Sequence, residues 1–234
     1  MRDIFNLGNF YLKRKGKTDN KIKGISFFSR NYLDIEIPKI LFATSRTLLM
    51  TKINFNNDWE DLFESSNFLF LDYIIKSRNF ETKTSSAPFI IKKDSKRGFE
   101  NYLDIFITEI YPSLEKINIR GYPLHGDPSH ENIGISANGK LAMVDFEHFS
   151  FNGQIPFEVA GFYFPFFIRK IKEKERIYLD ERILDNVSNC LTGEEFRLFI
   201  PYLLRDIGVF SFYQDKRFKE DFSSKLEKIL NNFS

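Results

Sequence analysis

An α+β fold in two parts is predicted, with a small β-rich segment over residues 1–53 and a larger, mainly helical segment over residues 54–234. Short strand-like runs dominate the first part, three- and four-residue apolar spacing dominates the second, and one strong hairpin signal lies inside the second. In the first part, residues 9–15 read as a strand and residues 21–34 as a short helix ended by Pro38. Residues 39–43 and 47–53 then form a strand pair joined at Ser45-Arg46. Beyond residue 54, Trp59, Leu62, Phe63, Phe68, Leu71, Ile74 and Ile75 recur at helical spacing. Residues 79–98 are polar and basic and suit a loop, with the run Lys92, Lys93, Lys96 and Arg97 read as a solvated face. A second helix fits residues 99–116, and from Phe157 onward three or four helices are expected, interrupted near Pro165, Gly193 and Asp215.

Composition supports a folded chain and narrows its partners. At 234 residues, with 42% hydrophobic and 28% charged side chains, a substantial core is expected. Lysine plus arginine number 34 against 32 acidic residues, so the net charge of +2 provides no global field for nucleic acid or an anionic membrane. Cys190 is the single cysteine and cannot form an internal disulfide, which points to a reducing, cytoplasmic compartment. Apolar runs such as residues 162–168 contain a proline and are too short to span a bilayer, so neither membrane insertion nor nucleic-acid binding is expected. Nothing in the composition fixes an oligomeric state.

The chemistry concentrates between Gly121 and Gly161. Asn138-Gly139 signals a hairpin, because a two-residue type I′ turn needs positive φ at both central positions. With that turn, Ala137 pairs with Lys140 and Asn132 falls directly opposite Asp145, so that an amide oxygen and a carboxylate converge as hard ligands for magnesium. Asp127, held extended by Pro128, reaches the same end and suits a base that accepts a proton from an attacking hydroxyl. The same residues also suit an Asx-rich turn without a ligand, and the window holding His125, His130 and His148 admits a hydrolytic metal site.

His125-Gly126-Asp127, with Asn132 five positions after the aspartate and then Asp145-Phe146-Glu147, resembles the catalytic loop and metal motif of the aminoglycoside phosphotransferase and choline kinase family. That resemblance implies a two-lobed, protein-kinase-like α+β fold, ATP and magnesium as cofactors, and transfer of phosphate to a small-molecule hydroxyl. It implies Asp127 as catalytic base, Asn132 and Asp145 as magnesium ligands, and His125 as a brace for the loop. The segment Pro156-Phe157-Glu158-Val159-Ala160 resembles the family's next helix opening, with Glu158 in a loop-supporting place more often held by aspartate. Upstream, the run from Leu48 to Ile53 resembles the strand and hinge that meet adenine, which assigns Met50, Lys52 and Ile53 to the nucleotide.

Lys13 is the candidate contact for the α- and β-phosphates, while Lys15 shares its face and both also fit a solvated basic run. Two departures stand out. Only twelve residues precede Lys13, too few for two strands and a glycine-rich loop, and the following helix has no Glu between Lys21 and Asp34 to act as the lysine's acidic partner. On the acceptor side, ten residues from His148 to Phe157 leave no room for a peptide-laying segment, and Glu147 and His148 suit contacts to a sugar, amino sugar or amino alcohol. A catalytically weak nucleotide-binding module and a protein Ser/Thr kinase are the alternatives. Asp-Phe-Glu in place of Asp-Phe-Gly disfavours the second.

Overall fold

The computed structural model describes residues 3–14, 19–56, 59–85, 119–129, 131–174, 181–196, 198–199 and 202–203. The expected helix over 99–116, the basic run near residue 95, Lys15, Lys17, His130 and the expected helices beyond 203 lie outside these residues. Two compact units divide the chain: residues 1–82 with 121–153, and residues 83–120 with 154–234.

In the first unit, β1 (Asp3–Leu7), β2 (Phe10–Arg14), β3 (Ile40–Ala43) and β4 (Thr47–Thr51) form an antiparallel sheet in the order β1-β2-β4-β3. Among the described residues a single strand precedes the one carrying Lys13. Tyr11 lies opposite Met50 and Lys13 opposite Leu48. Opposed side chains share a face and alternate residues repeat it, so these four side chains stand together.

Helix α1 (Asp19–Asn31) buries Lys21, Gly24, Ile25 and Phe28, a stripe at three- and four-residue spacing that faces the core. Its partner is the short 3₁₀ turn Phe146–His148, where the Phe146 ring lies 5.0 Å from that of Phe28. Gly24 makes this approach possible, because a Cβ there would stand 2.8 Å from Phe146 Cβ and 2.9 Å from Phe149 Cβ. After the helix, Glu36 N–H donates to Leu141 O at 2.8 Å and Met143 N–H donates to Glu36 O at 3.0 Å, tying the chain to the hairpin.

Helix α2 (Trp59–Ser77) follows β5 (Phe55–Asn56). Its buried positions include Phe70, Leu71, Tyr73 and Ile74, whereas Phe68 and Ile75, expected on the apolar face, are 69% and 55% exposed. The helical period holds, but the core-facing stripe is turned toward Phe70 and Tyr73, where Tyr73 and Tyr32 bond to Ser77. The start of the expected loop has regular structure: a 3₁₀ turn (Arg78–Phe80) leads into β6 (Thr82–Ser85). Next come β7 (Ile119–Leu124), the hairpin β8 (Ile133–Ser136) and β9 (Leu141–Met143), and β10 (Ser150–Gly153), which pairs antiparallel with β7.

The hairpin register differs from the expected one by a residue. Ile133 faces Met143, Gly134 faces Ala142 and Ile135 faces Leu141, with Ser136 N–H bonded to Lys140 O. Gly139 has φ +71° while Asn138 is not left-handed, so the connection is a three-residue loop closed by a left-handed glycine, not a type I′ turn. Asn132 therefore stands opposite Val144, whose N–H it accepts at 2.8 Å, and not opposite Asp145.

In the second unit, α3 (Ile155–Lys174) starts where Gln154 O accepts the N–H groups of Phe157 and Glu158, with Pro156 in the first turn where its missing donor costs nothing. The helix continues through Pro165 instead of stopping there. Proline removes one hydrogen bond and bends a helix, but packing carries the element on, here with Val159, Ala160, Phe162 and Tyr163 buried. Helix α4 (Glu181–Cys190) ends before Gly193, and Thr192 and Glu195 cap the next turn reciprocally. No helix among the described residues is long and apolar enough to cross a membrane.

The tight seat of α1 gives a direct expectation. Gly24→Ala forces the helix off Phe146 and Phe149 and lowers unfolding free energy by about 1–3 kcal/mol, the range for overpacking a core contact. Urea titration of the variant beside the wild type measures it.

Candidate active site

Asp127, Asn132 and Asp145 reach one another through local backbone geometry. From β7 the chain enters His125-Gly126-Asp127, where Gly126 has φ +84° and a Cβ would stand 2.1 Å from His148 O. Asn132 bridges back by donating from Nδ2 to Asp127 O at 3.1 Å and to Asp127 Oδ2 at 3.0 Å. Asp145 follows the last hairpin pair with φ 55° and ψ 57°, a left-handed conformation at an aspartate. Such a backbone is uncommon for residues other than glycine and here turns the chain from the hairpin into the 3₁₀ turn. Strand opposition is thus replaced by a backbone turn as the means of gathering the two magnesium candidates.

His125 is fully buried and braces this loop on both sides. Its Nε2 lies 2.6 Å from Val144 O and its Nδ1 accepts Asp127 N–H at 3.3 Å, a pattern that puts the proton on Nε2. Burial pushes its pKa down to about 4, against opposing contributions from Val144 O and the Asp145 charge. The ring is neutral at physiological pH and rests 4.6 Å from the Phe146 ring. Burial likewise raises the Asp127 carboxyl above the ordinary carboxylate range, opposed by His148 and assisted by Asp145.

Opposite these acids stand two lysines. Lys13, 7% exposed on β2, places Nζ 3.4 Å from Asp145 Oδ1 and 3.6 Å from Glu147 Oε2. Lys21, from the first turn of α1, pairs with the same Asp145 Oδ1 and lies 3.4 Å from Glu147 Oε2. Burial acts to raise the Asp145 pKa, but the hydrogen bond and charge of Lys21, with those of Lys13, outweigh it and hold the carboxyl low. Lys13 is lowered, first by burial and then by the neighbouring Lys21 ammonium.

A cavity of about 530 Å³ opens beside this cluster. Lys13, Met50, Lys52, Ile53, Asn132 and Asp145 all line it, together with Tyr11, Pro38 and Phe55. The four residues that the sequence assigns to the nucleotide thus share one cavity with both metal candidates. Of the remaining candidates, Glu147 is turned onto the two lysines, His148 is exposed, and Glu158 is buried in the first turn of α3 in the second unit. Lys21 was not singled out by motif. Its signal was positional, since it stands on the stripe shared with Gly24, Ile25 and Phe28, where a lysine is exceptional. Among the described residues no group of three or more His, Cys, Asp or Glu forms a metal cluster.

Solved structures share this architecture. Choline kinase LicA from Streptococcus pneumoniae superposes with a TM-score of 0.59 at 13% identity over 99% of this chain and 89% of its own. A glucosamine kinase gives 0.62 at 11% identity over 98% and 78%. The chain has the protein-kinase-like fold. It is the two-lobed α+β class that the motif resemblance implies. A Plasmodium vivax ethanolamine kinase agrees, with a TM-score of 0.56, 10% identity and coverage of 97% of this chain and 80% of that one. Neither protein-family models nor curated sequences match the chain.

The neutral, buried His125 predicts a pH effect with a definite sign. The unfolded histidine, with its ordinary pKa of about 6.5, binds a proton that the folded ring refuses until about pH 4, so stability falls as pH drops through that window. The loss amounts to about 3 kcal/mol for the full shift. His125→Asn should flatten this share of the slope, read as the difference between urea unfolding curves of variant and wild type from pH 7 to pH 4.

Proposed function

We propose that this chain is an ATP- and magnesium-dependent phosphotransferase whose acceptor is a hydroxyl of a small molecule. The observation that carries the reading is the shared cavity: a buried lysine, an aspartate and an asparagine line it with the stretch from Met50 to Phe55, and Asp127 is bonded to that asparagine. The kinase-like fold supports the same reading, since the similar solved structures are named as choline, glucosamine and ethanolamine kinases.

The donor set fits a divalent cation. Asn132 commits its amide nitrogen to Asp127, which leaves the amide oxygen as its ligand atom, and the Asp145 side chain keeps 40% exposure beside the cavity. Asparagine and carboxylate oxygens are the hard ligands that magnesium takes alongside phosphate oxygens and water. Held by Asn132 and Asp145, a magnesium ion would supply the positive charge that neutralises the phosphate oxygens. The protein's own residues do the rest. Lys13 binds the α- and β-phosphates, Met50, Lys52 and Ile53 receive the base end, and Asp127 accepts the acceptor's proton as its oxygen bonds to the γ-phosphorus and ADP departs. Burial suits Asp127 to this work, because a carboxyl above its ordinary range holds a proton more readily. His125 stays neutral and keeps the loop backbone in place. The acceptor meets Asp127 from the side of Glu147 and His148, a compact and polar setting for a sugar, amino sugar or amino alcohol.

Two carboxylates with separate jobs should separate under mutation. Asp145→Asn abolishes turnover and weakens magnesium-dependent ATP binding, whereas Asp127→Asn leaves MgATP affinity near wild type and lowers turnover by at least about 100-fold, the lower range for a positioned base. Calorimetric binding and an ADP-release assay on both variants decide it, and equal loss of nucleotide affinity would refute the division of roles. A second test addresses the acceptor: a panel of sugars, amino sugars and amino alcohols should contain a compound that stimulates ADP release, while casein should not. Phosphate incorporation into casein with no response to any small hydroxyl compound would instead establish a protein kinase.

A further inference from the structure

Lys21 stands outside the roles described above, yet it is among the most buried charges of the first unit, at 3% exposure. Taking an ammonium out of water is costly unless counter-charges meet it. Asp145 and Glu147 do so, and they meet Lys13 as well. Two cations and two anions cancel formally, but the two ammonium groups crowd onto the same two carboxylate oxygens, Asp145 Oδ1 and Glu147 Oε2, and Asp145 lines the cavity. Like charges brought this close repel, and a polyanion with several oxygens relieves that repulsion better than two shared oxygens. The backbone of Lys21 is fixed by the seating of its helix, where Gly24 and Phe28 set α1 against the 3₁₀ turn. A four-carbon stem lets the ammonium move between neighbouring oxygens.

We infer that Lys21 is a second phosphate-binding lysine, delivered by α1 beside Lys13 from β2, so that the site holds the phosphate chain of a nucleotide through two ammonium groups even without a divalent cation. This rests on the nucleotide reading above and deepens it. Were Asp145 to hold a divalent cation, the Lys21 ammonium would turn from that carboxylate toward the phosphates.

Two measurements test the role. The wild-type protein, in EDTA, is treated with an ATP analogue carrying an acyl phosphate at its terminus, whose carbonyl is attacked by a nearby lysine amine to form an amide and release the nucleotide. Peptide mass spectrometry should find adducts at both Lys13 and Lys21, suppressed by excess ATP; adducts at Lys13 or Lys52 without Lys21 overturn the inference. Binding is then compared for ATP and for adenosine, again in EDTA. Lys21→Gln should weaken ATP at least about tenfold, the loss of one charge-assisted hydrogen bond, leave adenosine unchanged, and be largely rescued by Lys21→Arg. Equal weakening of ATP and adenosine would make Lys21 a structural residue, and tighter ATP binding by Lys21→Gln would make it a plug on Asp145; either result overturns the inference. Wild-type protein that binds neither adenosine nor ATP would remove the nucleotide reading itself, and the inference with it.

Discussion

The ion pairs that Lys13 and Lys21 make with Asp145 join residues 132 and 124 positions apart in sequence, and much of the first unit is arranged so that these pairs can form. The sheet register sets Lys13 among Tyr11, Leu48 and Met50. A glycine on α1 lets that helix press close enough for Lys21 to arrive from the other side. The left-handed backbone at Asp145 turns the chain out of the hairpin and into the 3₁₀ turn that carries Glu147. Each arrangement costs something locally, in burial of charge or in backbone strain, and the shared carboxylate offsets those costs together.

Charge and shape divide the labour around that carboxylate. His125 is kept uncharged by burial, so it holds backbone atoms without competing for the acids. Asp127 is made more basic by the same burial, while Asp145 is made more acidic by its lysines. Two aspartates in one loop system thus acquire opposite tendencies. That separation is what a site needs if one carboxylate is to accept a proton and the other is to remain an anion.

Legibility in the sequence followed the range of the physics involved. The α+β class, the strands around Lys13 and Met50, and helices α1 and α2 were readable, because apolar period and turn residues are local signals. Asp127, Asn132 and Asp145 stand out through a short motif, and the structure bonds Asn132 to Asp127 and lines one cavity with Asn132 and Asp145. The hairpin register was not, since Asn-Gly serves both a two-residue turn and a longer loop with one left-handed glycine, and only cross-strand packing chooses between them. Asn132 and Asp145 line one cavity, but strand opposition is not the cause; a single left-handed residue that no pattern announces turns the chain there. Lys21 was hidden for a related reason: its partners are distant in sequence, and a lysine on an apolar stripe is noticed only once the stripe is known to be buried. The stripe on α2 held at Leu71 and Ile74 and missed at Phe68 and Ile75, because aromatic residues occur on more than one side of that helix.

Gly126 carries a consequence for how such a site changes over time. Its missing side chain is the clearance between the loop holding Asp127 and the carbonyl of His148. The two segments are therefore mated at a point where no atom can be added. Drift in one has to be matched by drift in the other, and an insertion near either breaks the seat. Variation in what the molecule accepts as a partner is accordingly steered away from this junction, toward parts of the chain that can lengthen or shift without disturbing it.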